Sequence, residues 1–344
     1  MSKHVLPFVG LAAAISLAAS LAAAGPASWQ YLNSFGAPDL APGIPGSSAA
    51  TNRIIIDSRG IIYITTGTND SNPKCVWRAT APTTDFSTPT YTLVTSDLST
   101  ELANGWQGLA VDADDNLFVS GDNLGSPIKS QVRKFDKDSN PITSFGTSGV
   151  VINTTQRLSG CALMSDGRVV VLQILGARML VLNSATGATD TQVDWTVGGY
   201  TRDITIKKDA ATGNDVLYVN RNGILQRVTG GSTTNPANYQ TTEPWCLGAS
   251  PAPTDCSFDV KNGCFFFTKD NSVITGNNRG GNVYVVDAAT GNALQVLTGI
   301  YSAGDVAAFT SGENDYLYVL TGTQYVQVYS KSAVSAAGDW SMYH

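Results

Sequence analysis

Ile54-Ile55-Ile56, then Asp57-Ser58-Arg59-Gly60, then Ile61-Ile62-Tyr63-Ile64: two short apolar runs meet across a polar turn. Each run is too short for a helix and rich in the branched and aromatic residues of a buried strand. The turn offers Asp and Gly, which supply a side-chain hydrogen bond and a positive φ. The unit recurs. Leu109-Ala110-Val111 and Leu117-Phe118-Val119 flank Asp112 to Asn116, and Ala162 to Met164 and Val169 to Leu172 flank Ser165-Asp166-Gly167. Ile204-Thr205-Ile206 with Val216 to Val219 is a fourth copy, and Phe265-Phe266-Phe267 with Val273-Ile274 a fifth. Val306-Ala307-Ala308 with Tyr316 to Val319 makes six.

Successive copies begin 55, 53, 42, 61 and 41 positions apart, close to the length of a four-stranded propeller blade, roughly 40–50 residues. A third strand follows each pair: Cys75 to Arg78, Val132 to Phe135, Met179 to Leu182, Ile224 to Val228, Val283 to Val286 and Tyr325 to Tyr329. Two of the turns beyond them are nearly alike, Asn183-Ser184-Ala185-Thr186-Gly187 and Asp287-Ala288-Ala289-Thr290-Gly291. Fourth strands are expected in the first five units, with Ile142-Thr143-Ser144-Phe145-Gly146 serving the second. The sixth unit stops after its third strand, and Tyr31-Leu32-Asn33-Ser34-Phe35-Gly36 shares Ser-Phe-Gly with that segment. An N-terminal strand completing the last blade would close the ring and remove its open edges. The expected fold is therefore all-β, a six-bladed β-propeller over residues 25–330 closed by an N-terminal strand, with a flexible tail over 331–344.

The first 24 residues read separately. A short basic start (Met1-Ser2-Lys3-His4), an apolar run from Val5 to Leu21 and small residues at Ala22-Ala23-Ala24 form a secretory signal pattern. An uncleaved anchor is the competing reading, since the run approaches the roughly 20 residues a bilayer needs. Alanine favours insertion little and no second span follows, so cleavage, a secreted or periplasmic location and no stable membrane insertion are expected. A net charge of −6 with 14% charged residues argues against nucleic acid as a partner. Hydrophobic residues make up 42%, enough for a core, and 34 glycines supply turns for many short strands.

Export permits disulfides among Cys75, Cys161, Cys246, Cys256 and Cys264. Cys246 and Cys256 flank a loop with two prolines, which makes them the candidate pair; an odd number leaves at least one thiol over.

Gly276-Asn277-Asn278-Arg279-Gly280-Gly281-Asn282-Val283-Tyr284-Val285-Val286-Asp287 resembles the second-to-third-strand passage of an NHL repeat. Val132-Arg133-Lys134-Phe135-Asp136 followed by Ser144-Phe145-Gly146 resembles its close. The ring from about Trp29 to Ser330 is similar to the NHL and SMP-30-like group of six-bladed propellers. The Ala-Thr-Gly turns resemble PQQ-type repeats, as does the end Trp340-Ser341-Met342-Tyr343.

The chemistry is bounded mainly by one absence. The chain has two histidines, His4 in the leader and the final His344, so the ring offers no imidazole as general base, metal ligand or proton shuttle. This weighs against Ser-His-Asp hydrolysis and against histidine-dependent propeller lyases and quinone dehydrogenases. The resemblance to SMP-30-like lactonases implies a histidine-free alternative, a Ca²⁺ site of carboxylates and amides. That family carries a Glu on its first inner strand, where this chain reads Asn52-Arg53-Ile54-Ile55-Ile56. Only Glu101, Glu243 and Glu313 lie beyond the leader.

The richest polar positions fall between second and third strands. Asn69, Asp70, Asp122, Asn123, Asn220, Asn222, Asn277, Asn278 and Arg279 are the candidate ligand-binding residues of one face. Turn formation alone also accounts for such residues. Trp77, Trp106 and Trp245 offer faces for a sugar or peptide, with inter-blade packing the competing role. The expected function is a non-catalytic module binding a protein, peptide or carbohydrate through this face. The alternative is a metal-dependent lactone hydrolase.

Overall fold

The six repeats become six four-stranded antiparallel sheets. The computed structural model describes residues 28–38, 51–67, 74–82, 86–97, 105–122, 129–153, 155–174, 178–194, 200–221, 224–239, 241–244, 263–277, 281–322 and 325–331. Residues 1–24, those beyond Lys331 and the Cys246–Cys256 segment lie outside these residues.

Strand β1 (Gln30–Gly36) comes first in the chain and belongs to the last sheet. Blade one is β2 (Thr51–Ile56), β3 (Ile62–Thr66), β4 (Lys74–Ala79) and β5 (Tyr91–Asp97). Blade two is β6 (Gly105–Val111), β7 (Leu117–Asp122), β8 (Ser130–Phe135) and β9 (Val150–Asn153). Blade three is β10 (Leu158–Leu163), β11 (Val169–Gln173), β12 (Arg178–Leu182) and β13 (Thr189–Asp194). Blade four is β14 (Thr201–Lys208), β15 (Asp215–Arg221), β16 (Ile224–Thr229) and β17 (Thr241–Pro244). Blade five is β18 (Cys264–Phe267), β19 (Ser272–Asn277), β20 (Asn282–Asp287) and β21 (Ala293–Leu297). Blade six is β22 (Ala303–Ser311), β23 (Asn314–Thr321), β24 (Tyr325–Lys331) and, outermost, β1. The inner strands neighbour one another in a closed cycle, β2 to β6, β10, β14, β18, β22 and back to β2. The chain is a six-bladed β-propeller.

Closure works as the unfinished sixth unit implies. Ser34 pairs with Gln327, Phe35 with Val326 and Gly36 with Tyr325. Phe35 is buried edge-on against Tyr318, ring centres 6.4 Å apart. Ile62, Ile64, Val169, Val170 and Val171 are fully buried. Second strands lie between neighbouring strands and neighbouring blades, so they read as continuous apolar runs rather than alternating ones. Outer strands such as β13 and β1 face water over most of their length.

One expectation needs correcting. The fourth strand of blade two is Val150–Asn153, not Ile142–Gly146. The latter segment turns back on itself, the Phe145 amide donating to the Ile142 carbonyl at 3.1 Å. The turn drives Phe145 into the core, 5.7 Å from Phe118. The two Ser-Phe-Gly segments therefore both bury their Phe, one from a strand and one from a turn.

The Asx-Thr-Gly turn occurs three times. Asn183, Asp209 and Asp287 each accept from the amide two residues on, at 3.0, 2.8 and 2.7 Å. Thr186, Thr212 and Thr290 cap the following strand, and Gly187, Gly213 and Gly291 take φ of 73, 71 and 75°. The copy at Asp209-Ala210-Ala211-Thr212-Gly213-Asn214 joins first to second strand, whereas the others join third to fourth. The motif is thus a hairpin device rather than a mark of one place in the blade.

Candidate functional site

Five of the six inner strands carry a register shift near their first residues: Thr51/Ile54, Trp106/Gly108, Leu158/Cys161, Thr201/Asp203 and Ala303/Asp305. A bulge re-aims the residue it carries and ends regular pairing. Pairing is regular at Ile54, Leu109, Cys161, Ile204 and Val306, which stand at equivalent places, and blade five pairs from Cys264. The residue just before each of these forms a ring about the axis: Arg53, Gly108, Gly160, Asp203, Gly263 and Asp305. Three are charged and buried, and three are glycines.

The glycines exist because the neighbours fill their side-chain space. A Cβ on Gly160 would stand 2.5 Å from Asp203 Oδ1, and one on Gly263 would fall inside Asp305 Oδ1. On Gly108 it would stand 2.6 Å from the Cys161 amide. Each aspartate also reaches forward. Asp203 Oδ2 accepts the Cys264 amide at 2.9 Å, and Asp305 Oδ2 accepts the Ile54 amide at 2.8 Å. Each carboxylate thus lies over the glycine of the blade behind and holds a strand of the blade ahead.

Arg53 crosses the axis. Its Nε donates to the Gln107 carbonyl of blade two at 2.6 Å, and its Nη2 to the Arg202 carbonyl of blade four at 2.9 Å. The guanidinium forms no direct ion pair with either aspartate, although its charge acts on both. Its Nη1 is buried and has no hydrogen-bond partner among the described residues. Burial raises the Asp305 carboxyl to about 7; Arg53 opposes the shift and Asp203 adds to it. Burial raises Asp203 too, again against Arg53.

Above this waist the second strands end, on one face, in Thr66, Asp122, Gln173, Arg221, Asn277 and Thr321. Blades are tied here by repeated bonds. Thr51 Oγ1 donates to the Thr321 carbonyl and Thr201 Oγ1 to the Gln173 carbonyl, both at 2.8 Å. Arg157 of blade three holds Asp122 of blade two through two bonds, at 2.8 and 2.5 Å.

Asp122, Asn220 and Asn277 are the sequence-predicted site residues that the structure describes. They sit at strand ends rather than in loops, and all are buried. Asp122 is paired with Arg157, and Asn220 Nδ2 donates to Thr275 Oγ1 of the next blade at 3.3 Å. Asn69, Asp70, Asn123, Asn222, Asn278 and Arg279 lie outside the described residues. Trp106 and Trp77 are packing residues: Trp106 Nε1 donates to the Lys74 carbonyl and Trp77 Nε1 to Thr66 Oγ1. Glu313 is exposed in its turn. Cys75, Cys161 and Cys264 are buried free thiols. Among the described residues, no group of three or more His, Cys, Asp or Glu is placed to hold a metal.

The axial ring escaped the sequence reading because it is one position per blade, separated by about 50 residues. Its trace was present in Arg202-Asp203-Ile204 and Gly304-Asp305-Val306, where an aspartate precedes the same apolar position of two units.

This architecture defines the class of protein, a six-bladed β-propeller. It is similar to a protein of unknown function from Bacteroides caccae, at 10% identity over 76% of this chain and 87% of that one, with a TM-score of 0.50. A virginiamycin B lyase from Staphylococcus aureus aligns over 89% of both chains at 9% identity and a TM-score of 0.49. No family model matches the chain, and no curated protein matches it. At such identities the likeness concerns the fold alone.

Proposed function

We propose that the chain is an exported, non-catalytic binding ring that holds a protein, peptide or carbohydrate on its channel mouth. The observation that carries this is Arg53. Its side chain spans the axis from blade one to blade four, and the waist is filled by the protein's own charges. Anything recognised from that face is therefore met at the mouth, by the loops beyond Asp122, Asn220 and Asn277. The leader-like first 24 residues support export. The Asn-Arg passage at Gly276 to Asp287 supports placement in the NHL and SMP-30-like group.

The rival is a lactone hydrolase with Ca²⁺ on the axis. The resemblance implies a carboxylate on the first inner strand, where this chain places the Arg53 guanidinium. A divalent ion between Asp203 and Asp305 would face a buried positive charge. Asp203 and Asp305 also each spend an oxygen on a main-chain amide. The separating experiment follows a lactone and ester panel in Ca²⁺ and in EDTA, with melting temperatures in both. No turnover and no EDTA-sensitive shift are expected; Ca²⁺-dependent turnover would overturn the binding reading.

A further inference from the structure

The seam between blades five and six carries a groove of about 450 Å³, bounded by β21 on one side and β1 on the other. It lies away from the channel, on the flank of the ring. Its walls include Trp29, Tyr31, Thr298, Gln327 and Tyr329, and none of its lining residues is charged. That size suits a small ligand site, for which roughly 300–1,000 Å³ is usual.

The polar groups of the lining are all uncharged. Gln295 is spent on structure, its Oε1 accepting the Trp29 amide at 2.8 Å and its Nε2 donating to the Trp29 carbonyl at 2.9 Å. Gln327 Oε1 accepts the Tyr329 hydroxyl at 2.9 Å, which leaves the Nε2 donor open. Gln30 Nε2 donates to Ser28 Oγ at 2.7 Å, which leaves the Oε1 acceptor open. Thr298 adds an exposed hydroxyl. Beside them Tyr31 is 59% exposed and packs edge-on against Tyr329, centres 5.8 Å apart. Trp29 is buried in the wall, and its Nε1 has no hydrogen-bond partner among the described residues. Lys331, which lies over the Trp29 ring, is paired with Asp270 at 2.6 Å.

An exposed aromatic face, open amide donor and acceptor groups, hydroxyls and no charge together match a neutral sugar. Its C–H face covers the ring while its hydroxyls both give and accept hydrogen bonds. A charged ligand would lose hydration here without a counter-charge. A peptide adding as a strand needs an evenly spaced edge, and β1 is interrupted by a register shift between Tyr31 and Asn33. We propose that this groove is a binding site for a neutral oligosaccharide, independent of the channel mouth.

The test uses the full chain and titrates maltohexaose, cellohexaose, xylohexaose and mannohexaose by calorimetry. Polygalacturonate, chitosan oligomers and an unstructured peptide serve as alternative ligands. At least one neutral hexamer is expected to bind, and Tyr31→Ala to weaken it about tenfold with little change in melting temperature. Gln327→Ala is expected to weaken the same sugar. No binding by any neutral hexamer, binding indifferent to both substitutions, or preference for the peptide or a charged polymer would overturn the proposal. Mouth-loop variants do not enter this test, so its failure leaves the reading of the channel mouth standing.

Discussion

Asp305, on the inner strand of the last blade, accepts the main-chain amide of Ile54, on the inner strand of the first, at 2.8 Å. The bond joins the two ends of the ring at its axis, beneath the outer closure made by β1. Its carboxyl is also the group in the waist whose ionisation burial raises to about 7.

A pH dependence follows, with a definite sign. In the unfolded chain an aspartate ionises near 3.9, so across roughly pH 4 to 7 the folded protein holds a proton that the unfolded chain has lost. This contribution to stability is complete below the unfolded value and disappears as pH rises through about 7. The raised Asp203 carboxyl acts in the same direction. The melting temperature is expected to fall as pH rises from about 5 to about 8, and Asp305→Asn to flatten that slope. A slope unchanged in Asp305→Asn would show that the axial carboxyl is not its source.

The ring glycines give a steric prediction. Gly263→Ala places a methyl where Asp305 Oδ1 already stands, and overpacking of this kind costs about 1–3 kcal/mol. Gly167, which has nothing within 4 Å but a φ of +88°, is the contrast, losing only about 1 kcal/mol on conversion to Ala. Urea denaturation of both variants measures the difference. In a double-mutant cycle with Asp305→Ala, the Gly263→Ala cost should shrink, because the obstructing oxygen is gone.

The closing strand depends on one anchor. Phe35 is buried against Tyr318 while most of β1 faces water. Phe35→Ala is expected to cost about 3–5 kcal/mol and to speed limited proteolysis within β1 ahead of the other blades. Leu32→Ser, at an exposed position, should leave both readouts near wild type.

The described thiols are expected to be inert. Burial pushes Cys75 up to about 11 and Cys161 up to about 12, and raises Cys264 as well. Because the thiolate is the reactive form, maleimide should label none of the three in native protein and all three after denaturation. Peptide mapping of the same unreduced sample tests the Cys246–Cys256 bridge.

The repeat was legible because buried strands leave contiguous apolar runs and hairpins leave Asp and Gly between them. The closure was legible because a blade short of one strand shows as a gap. Phe145 misled for a physical reason: a buried aromatic flanked by Ser and Gly has the same local sequence in a turn as in a strand. Asp122 and Asn220 are polar strand ends bonded to the neighbouring blade, so sequence distance hides the bond. Arg53 was visible only as a departure from a family pattern. That it crosses to blade four depends on ring curvature, which no local stretch encodes.

The pairing of Gln30 with Ser330 joins the first described strand to the last. Bringing ends so far apart together carries a chain-closure entropy that grows only slowly with length, as about (3/2)RT ln n. The obstacle is therefore one of timing more than of energy: β1 waits, unpartnered, until β24 has been made. A chain that stops before Tyr325 leaves β23 with a bare edge, ready to accept a strand from another molecule. The ring thus depends on its closing pair, and a copy lacking β24 would carry an open sheet edge of the kind that recruits strands from other chains.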